Sequence, residues 1–552
     1  MGEPGRTPSV FSSVFICVHP WLKRVFLAAA PLLFGATSLA AAPEIEAHSP
    51  LALRPGTTTE VTFTGKDVGD AKQLWTSFPA QVEALGAGRF RLRTDAAVGI
   101  GAVRLHGSNG VSNLRLVALD DLPAIAASKT NQTRAAAQSV ALGTAVDGRA
   151  NELGYDWFQV RLKTGQRLSV EVLAARLGSK LDPVLRLLAA NGRELARNDD
   201  APGWSGDSYL SLTAPETGDY FLELRDVNYG GGEAFFYHLR LGDFPLATVA
   251  YPPVVAEGRR QAFEVLGPGG TVAQVMAAAS NVASINLPAQ GAMGTASARA
   301  MVVAGPATLE KEPNDTPGKA ERMAVPGGVS GRFERARDRD WFEFEARAGQ
   351  RLEFRAATRT LGSPCDAVLR LETAPGKKLA GSDPSAADEG VFSHTFESNG
   401  LHRLVISEAG GSAGPHLVYH VTISPAPDFA LTLDTDRVNT TAGATFDLKV
   451  TAHRSGYKGA ITLGLSGAAG QCALTNQVIA EGKTNVVMKV TVPRDFPPGL
   501  HTVAITGTAR GKNQELRVPA RITPALRRQF PQARQATVEF EDELVLHVAP
   551  RR

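Results

Sequence analysis

Cysteine is scarce in this chain, with three residues in 552. Cys17 lies in an N-terminal leader, which leaves Cys365 and Cys472. These two fall in segments that we assign to different domains, so the sequence does not indicate the disulfide framework of small secreted proteins. We predict that both are buried free thiols, since an unpaired cysteine behaves as a small apolar side chain.

An excess of charge of one sign is also lacking. Lysine and arginine number 58 against 55 aspartate and glutamate, and the formal net charge is +3. Such a balance offers no electrostatic basis for binding nucleic acid or an anionic surface. We therefore expect no nucleic-acid partner.

Long apolar runs are lacking except near the N-terminus. There, residues 25–39 form an apolar stretch directly after Lys23 and Arg24, and small residues follow at the spacing of a cleavage site. Residues 1–40 are therefore predicted to be a secretory signal peptide that is cleaved after Ala40.

An uncleaved membrane anchor is the alternative for this leader. It is disfavoured because the apolar stretch is short and contains a proline and a glycine. We expect no transmembrane helix in the mature chain. The protein would be secreted, or held at the cell surface or in the periplasm.

Helix-type periodicity is rare, whereas short runs of alternating apolar and polar residues are frequent, among 55 glycines and 34 prolines. Alternation with period two is typical of half-buried β-strands. A chain of this length exceeds one hydrophobic core. We predict an all-β protein, a string of antiparallel β-sandwiches. The predicted boundaries are 43–123 for an Ig-like sandwich, 124–245 and 308–424 for two jelly-roll-like domains, 246–307 for a short Ig-like unit or spacer, 425–523 for a further Ig-like sandwich, and 524–552 for a C-terminal tail.

The two jelly-roll-like segments carry an internal repeat. YDWFQVRLKTGQRLSVEV at Tyr155–Val172 matches RDWFEFEARAGQRLEFRA at Arg339–Ala356, and LGSKLDPVLRL from Leu177 matches LGSPCDAVLRL from Leu361 at the same offset. A long match at constant offset indicates a duplicated domain. We call residues 124–245 the first copy and 308–424 the second copy.

Oxygen-donor side chains gather where the second copy begins. LEKEPNDTP and ARDRD together supply five carboxylates and one amide. Ca²⁺ prefers six to eight hard oxygen ligands in a flexible geometry. The sequence therefore predicts a calcium site, although a solvated turn and hairpin would also account for these polar residues. The candidate ligands are Glu310, Glu312, Asn314, Asp315, Asp338 and Asp340.

With both copies aligned, the duplicated domain resembles the bacterial pre-peptidase C-terminal domain. The resemblance is carried by EPNDTP, DWF, GQRL, LGSxxDxVLRL, the NDD turn at Asn198–Asp200 and the GDYFLEL run. The neighbouring units are similar to the Ig-like modules that accompany such domains in exported bacterial proteins. The resemblance implies a jelly-roll-like sandwich, and collagen binding in the collagenase members of the family.

The resemblance also bears on the metal. In the collagenase relatives, calcium orders a linker rich in Glu and Asn together with an acidic loop, which implies the same six ligands here. The first copy departs from this pattern and keeps only Asn131 and Asp156. We therefore predict no equivalent site there. The residues that replace ligands in the first copy are Ala127, Lys129, Gln132 and Gly154.

Two short motifs suggest catalysis but lack its context. Gly410–Gly414 has the GxSxG spacing of a nucleophile, yet it is predicted to lie in a loop between antiparallel strands rather than in a strand-to-helix turn. His416 and His420 have the spacing of a zinc pair on a helix, but the segment is predicted to be a strand with both rings facing solvent. We therefore predict that the protein is not an enzyme.

Function is predicted only by class. The chain is expected to bind an extracellular polymer or a surface protein, with calcium ordering the linker of the second copy. The alternative is an accessory role for a secreted peptidase or another hydrolase, in folding, secretion or substrate docking.

Overall fold

Short β-strands form most of the regular structure in the described part of the chain, and the all-β prediction is confirmed. The structure is a computed structural model that describes residues 41–278, 283–385, 389–510, 515–531, 533 and 540–550. The predicted signal peptide lies outside these residues. No helix in the described ranges is long and apolar enough to cross a membrane.

The N-terminal module is a sandwich of two sheets. One sheet has the order β1-β3-β6-β5, and the other has the order β2-β9-β7-β4 with β8 paired to β7. Apolar side chains alternate along the strands and meet between the sheets, as Val61, Phe63 and Phe90 do. The strands are β1 (Glu44–Ser49), β2 (Ala52–Leu53), β3 (Thr58–Lys66), β4 (Ala71–Thr76), β5 (Gln81–Gly86), β6 (Arg89–Arg93), β7 (Gly99–Gly107), β8 (Gly110–Val111) and β9 (Arg115–Leu119).

The first copy pairs two five-stranded sheets, ordered β10-β12-β19-β14-β17 and β11-β13-β18-β15-β16. Its DWF segment opens β13, with Phe158 fully buried and Trp157 half-buried. The strands are β10 (Ala124–Ala126), β11 (Gln138–Ser139), β12 (Thr144–Arg149), β13 (Asp156–Leu162), β14 (Arg167–Leu173), β15 (Pro183–Ala189), β16 (Glu194–Asn198), β17 (Tyr209–Thr213), β18 (Gly218–Asp226) and β19 (Phe236–Gly242).

The second copy has the same strand order, β26-β28-β35-β30-β33 facing β27-β29-β34-β31-β32. Its ten strands correspond one to one with those of the first copy, as a duplication requires. The strands are β26 (Ala307–Leu309), β27 (Glu321–Arg322), β28 (Gly327–Arg332), β29 (Arg339–Ala346), β30 (Arg351–Ala357), β31 (Ala367–Thr373), β32 (Lys378–Ser382), β33 (Val391–Thr395), β34 (Gly400–Glu408) and β35 (Val418–Pro425).

The segment between the copies is a small sandwich of two three-stranded sheets, β20-β22-β23 and β21-β25-β24. Its core is small, built around Phe263, Val265 and Leu287. We call this segment the spacer module. The strands are β20 (Val249–Tyr251), β21 (Val254–Ala256), β22 (Arg260–Gly267), β23 (Gly270–Ala278), β24 (Ser284–Gln290) and β25 (Thr295–Val303).

The C-terminal module includes the end of the chain. β45 lies parallel to β37 and antiparallel to β43, so part of the predicted tail completes this sandwich. The elements are β36 (Phe429–Leu433), β37 (Arg437–Thr441), β38 (Thr445–Arg454), β39 (Ile461–Gly467), β40 (Ala473–Thr475), β41 (Val478–Ile479), β42 (Asn485–Thr491), β43 (Gly499–Arg510), β44 (Glu515–Arg521), α1 (Thr523–Gln529) and β45 (Leu544–Ala549). Six single 3₁₀ turns lie in the described chain, at Val68–Asp70, Arg134–Ala136, Ala175–Leu177, Pro317–Lys319, Arg359–Leu361 and Ala468–Gln471.

The N-terminal and C-terminal modules contact each other directly. Arg104 Nη2 forms a buried ion pair with Asp436 Oδ2 at 2.8 Å, and Val111 N–H donates to Asn439 Oδ1 at 2.8 Å. Apolar residues of both modules, such as Leu114 and Phe530, belong to one continuous core. The string of sandwiches is thus folded back on itself.

Three smaller predictions are settled by the structure. Cys365 and Cys472 are buried free thiols, as predicted. The GxSxG segment lies in the loop between β34 and β35, also as predicted. The prediction for His420 was wrong: the ring is buried rather than exposed, because it faces the adjoining strand and contacts Ser330 Oγ at 2.9 Å.

Candidate metal centre

The predicted linker follows β26 and lies against the start of β29. β26 pairs in parallel with β28, which carries the chain to the edge of the sandwich. There, Trp341 N–H donates to the Asn314 carbonyl at 3.2 Å. This bond holds the linker beside the strand that contains Asp340, so the two acidic segments meet.

The five predicted carboxylates come together in the folded chain. One ligand atom from each of Glu310, Glu312 and Asp340 lies within 4.8 Å of the others. Glu312, Asp315 and Asp338 form a second group by the same measure. Because Glu312 belongs to both groups, the five side chains make one continuous cluster, which we call the acidic cluster.

Two members of the acidic cluster, Glu310 and Asp340, are buried and contact Tyr419. The Tyr419 hydroxyl donates to Asp340 Oδ2 at 2.6 Å and lies 3.0 Å from Glu310 Oε2. Glu310 Oε1 accepts from the backbone N–H of Arg332 at 2.6 Å. Asp340 is 0 % exposed and Glu310 is 8 % exposed. These contacts fix the positions of both carboxylates at the buried end of the acidic cluster.

The sixth predicted ligand, Asn314, lies between these carboxylates and is fully buried. One end of its side-chain amide is 3.0 Å from Asp340 Oδ1 and 3.2 Å from Glu312 Oε1. Between two ionised carboxylates and without a cation, this end is the nitrogen, because both carboxylate oxygens are acceptors. With a cation between them it would be the oxygen, so the amide can serve either state.

Of the other members of the acidic cluster, Asp338 lies in the loop before β29 and Asp315 lies in the linker. Asp338 accepts from the backbone N–H groups of Glu334 at 2.9 Å and of Arg339 at 3.1 Å. Asp315 has one distant basic neighbour, Arg335 Nη1 at 3.6 Å. The loop is thereby folded around its own carboxylate, which faces the linker.

Negative charge in the acidic cluster is poorly compensated. Among the described residues, no lysine or arginine lies within ion-pair distance of Glu310, Glu312 or Asp340. Burial, with the neighbouring carboxylates, raises the pKa of Asp340 to about 9 and that of Glu310 to about 8. Burial also raises the pKa values of Glu312 and Asp338. At neutral pH the cluster must take up protons or a cation.

The donor set fits a calcium ion. Five carboxylates and one amide are hard oxygen donors, and the described part of the cluster offers no sulfur or imidazole. Several of the carboxylates use only part of their hydrogen-bonding capacity in contacts with the protein. A divalent cation would neutralise the excess of buried negative charge.

Two residues of the site were missed by the sequence reasoning. Tyr419 belongs to β35 and is far from the linker in sequence. Gly331 pairs with Tyr419 across β28 and β35, and a Cβ there would lie 2.1 Å from Glu310 Oε2 and 2.3 Å from the Tyr419 hydroxyl. The repeat held a signal for both, because Tyr237 and Gly148 occupy the corresponding places in the first copy.

The first copy retains this framework without the surrounding acids. The Tyr237 hydroxyl donates to Asp156 Oδ2 at 2.6 Å, and a Cβ at Gly148 would lie 2.2 Å from Tyr237. Asn131 is buried, and its Oδ1 has no hydrogen-bond partner. In the described residues no group of three acids forms at this position. The absence of a metal site in the first copy remains a prediction.

Comparison with known proteins supports part of the resemblance. The family model of the bacterial pre-peptidase C-terminal domain matches residues 154–226, within the first copy. Part of the chain is 33 % identical over 117 residues to a Deinococcus radiodurans protein named as a probable subtilase-type serine protease. That alignment covers 20 % of this chain and 15 % of the protease, so the chain spans a small part of that relative.

Solved structures show only distant likeness. Lac15 from a marine microbial metagenome is 11 % identical, with 65 % of this chain and 85 % of Lac15 covered and a TM-score of 0.11. An endo-fucoidan hydrolase of glycoside hydrolase family 107 is 8 % identical, with 91 % and 43 % covered and a TM-score of 0.13. TM-scores this low do not indicate a common fold.

Proposed function

We propose that this chain is an exported, non-catalytic modular protein that binds an extracellular polymer or a surface protein, and that Ca²⁺ orders its 310–316 linker. The observation that carries the calcium assignment is the acidic cluster itself. It buries Glu310 and Asp340 beside further carboxylates, and among the described residues no basic side chain is in ion-pair contact with either of these two. Such a cluster is stable at neutral pH when a divalent cation neutralises it.

The six residues would divide the work of holding the ion. Glu310 and Asp340 would supply buried oxygens positioned by Tyr419, Glu312 and Asp315 would supply oxygens from the linker, and Asp338 would supply one from the loop before β29. The Asn314 amide would turn its oxygen toward the cation. Ca²⁺ supplies charge neutralisation and ligand bonds, which join the linker to the loop before β29.

Ordering this linker would also set the angle between modules. Arg332 donates its backbone N–H to Glu310, while its side chain pairs with Glu264 of the spacer module at 3.3 Å and stacks on Tyr251 at 4.5 Å. The acidic cluster and the spacer module are therefore connected through one residue. Weak binding modules gain avidity when the geometry between them is fixed, which gives the metal a mechanical role.

Calcium titration of the full-length protein after chelation tests the metal assignment. We expect saturable binding by isothermal titration calorimetry, and its loss in Asp340→Asn and Glu312→Gln. The matched control is Asp156→Asn, which changes the corresponding aspartate of the first copy and should leave calcium binding unchanged. Absence of saturable binding in the wild-type protein would refute the assignment.

Polymer binding is tested by co-sedimentation with insoluble polymers. The probes are peptidoglycan sacculi and fibrillar collagen, each with calcium and with chelator. We expect pelleting with one of them and more pelleting with calcium than without. Equal recovery in the supernatant under all four conditions would contradict the binding role but would leave the calcium assignment standing.

The second candidate function is assistance to a secreted peptidase. It is favoured by the similarity to part of a subtilase-type protease. If it holds, adding this protein to a denatured subtilase should raise the yield of refolded protease activity above that obtained with an equal mass of albumin. An unchanged yield would dismiss this role.

A further inference from the structure

Two histidines, one from the N-terminal module and one from the C-terminal module, meet where these modules contact each other. His106 lies near the end of β7, and His547 lies in β45. Their ring centroids are 5.3 Å apart, with the planes at 70°. Neither Nδ1 has a hydrogen-bond partner, although both atoms are buried. An imidazole nitrogen that is buried without a partner costs free energy unless something binds it.

The backbone around the two rings is held in place by hydrogen bonds. His106 pairs with Val111 across β7 and β8, and His547 pairs with Asn439 across β45 and β37. Val111 and Asn439 are in turn joined across the modules, by a bond of 2.8 Å to Asn439 Oδ1 and one of 3.4 Å from Asn439 Nδ2. The two rings are therefore brought together by a defined contact rather than by chance proximity of flexible loops.

The spacing of the rings suits a shared metal ion. Zinc binds imidazole nitrogen at about 2.0–2.1 Å, so two rings on one tetrahedral ion have centroids roughly 5–6 Å apart. The observed 5.3 Å lies in this range. Both rings border a cavity of about 670 Å³. Imidazole ligands favour zinc, copper and nickel over calcium.

The state of the rings is compatible with metal binding. Burial lowers the pKa of both, to about 4 for His547. Neutral imidazole is the form that coordinates a metal, so no proton has to leave at neutral pH.

We propose that His106 and His547 form a binding site for a divalent transition-metal ion, with Zn²⁺ as its representative, that cross-links the N-terminal module to the C-terminal strand β45. The site is separate from the acidic cluster in position and in donor chemistry. Zinc at this site would link the N-terminal module to the C-terminal module, whereas calcium would bind in the second copy.

The test is a zinc titration of the full-length protein at neutral pH with saturating calcium, so that the acidic cluster is filled. We expect one saturable zinc site, weakened at least about tenfold by His106→Gln and by His547→Gln. The matched control is His501→Gln on the neighbouring strand β43. Leu500, not His501, opposes His547, so the His501 side chain points to the other face of the sheet. This variant should keep wild-type affinity.

A second measurement on the wild-type protein guards against variants that misfold. Copper(II) added at one equivalent should give an electron paramagnetic resonance spectrum with hyperfine coupling to two imidazole nitrogens. The proposal is overturned if wild-type protein takes up no more zinc than the His106→Gln/His547→Gln double variant. It is equally overturned if the copper spectrum shows no nitrogen coupling.

Discussion

The Tyr419 hydroxyl donates to Asp340 Oδ2 at 2.6 Å and lies 3.0 Å from Glu310 Oε2. A phenol has one proton to donate, so it can satisfy only one of the two carboxylates at a time. The other carboxylate must carry a proton or contact a cation. This shared donor is the point at which the protonation of the second copy and its proposed metal binding would be linked.

The first prediction concerns this hydroxyl. Tyr419→Phe removes the donor from two buried carboxylates, which should cost about 1–3 kcal/mol of stability and weaken calcium binding about tenfold. Calorimetric titration and thermal unfolding measure the two effects. Tyr237→Phe is the matched control, since it removes the same bond in the first copy. Loss of calcium affinity in both variants would show that the effect is not local to the acidic cluster.

The second prediction is a dependence of stability on pH. The pKa values of Asp340 and Glu310 are raised to about 9 and about 8 by burial, so the folded protein binds more protons than the unfolded chain. Their contribution to stability is therefore present at low pH and is lost as the pH rises through 8 and 9. In chelator, the unfolding temperature should fall between pH 5 and pH 9. With saturating calcium the decrease should be small, and an equal decrease in both buffers would contradict the linkage.

The third prediction follows from the same charges. Asp340→Asn keeps the shape of the side chain and its acceptor for Tyr419 while removing a buried ionisable group. At pH 8 in chelator, this variant should unfold at a higher temperature than wild type, because wild type must hold Asp340 protonated well above the pKa of an unfolded aspartate or bury it as an unpaired carboxylate, and both lower its stability. With calcium the order should reverse, since the variant lacks a ligand. Differential scanning calorimetry in the two buffers measures both, and a variant that is less stable in each would refute the charge argument.

The fourth prediction concerns close packing under the acidic cluster. In Gly331→Ala the new methyl would lie 2.1 Å from Glu310 Oε2 and 2.3 Å from the Tyr419 hydroxyl. We expect a loss of about 1–3 kcal/mol from overpacking, together with loss of calcium binding. Gly148→Ala meets Tyr237 at 2.2 Å in the first copy. Gly148→Ala should lose a similar amount of stability but bind calcium as wild type does. Loss of calcium binding in both variants would indicate a general disruption of the fold.

The fold was largely predictable from the sequence because the evidence for it is local or repeated. Strand alternation predicts the all-β architecture, and the constant offset between the copies predicts that their strands follow the same order in the sheets. The contact between the N-terminal and C-terminal modules was not predictable. Arg104 and Asp436, which form a buried pair across it, lie in unrelated segments whose patterns carry no information about each other.

The sequence indicated which acidic side chains come together at the candidate site, but not the residues that support them. The acidic linker and the loop before β29 attract attention through composition alone. Tyr419 and Gly331 look like an ordinary core tyrosine and an ordinary strand glycine. The repeat marks both positions, but only the pairing of β28 with β35 places them beside Glu310. His420 was misjudged for the related reason that a strand pattern does not show which face a neighbouring strand will cover.

The last prediction is that calcium binding can be transferred to the first copy. Ala127 N–H donates to the Asp147 carbonyl as Glu310 N–H donates to that of Ser330, so the two linkers start alike. Asn131, Asp156 and Tyr237 are already in place. The triple variant Ala127→Glu, Lys129→Glu, Gln132→Asp would supply the missing linker carboxylates.

This design leaves Gly154 unchanged, because a Cβ there would lie 2.9 Å from Asn151 Cβ. Calcium uptake at saturation should rise by about one ion per chain, measured by equilibrium dialysis. The control Ala127→Gln, Lys129→Gln, Gln132→Asn has nearly the same shape but lacks the charges, and its uptake should equal that of wild type. If the folded acidic variant also takes up no more calcium than wild type, then carboxylates on this framework are not sufficient. The loop carboxylate of Asp338, which the first copy lacks, would then be the ligand that decides binding.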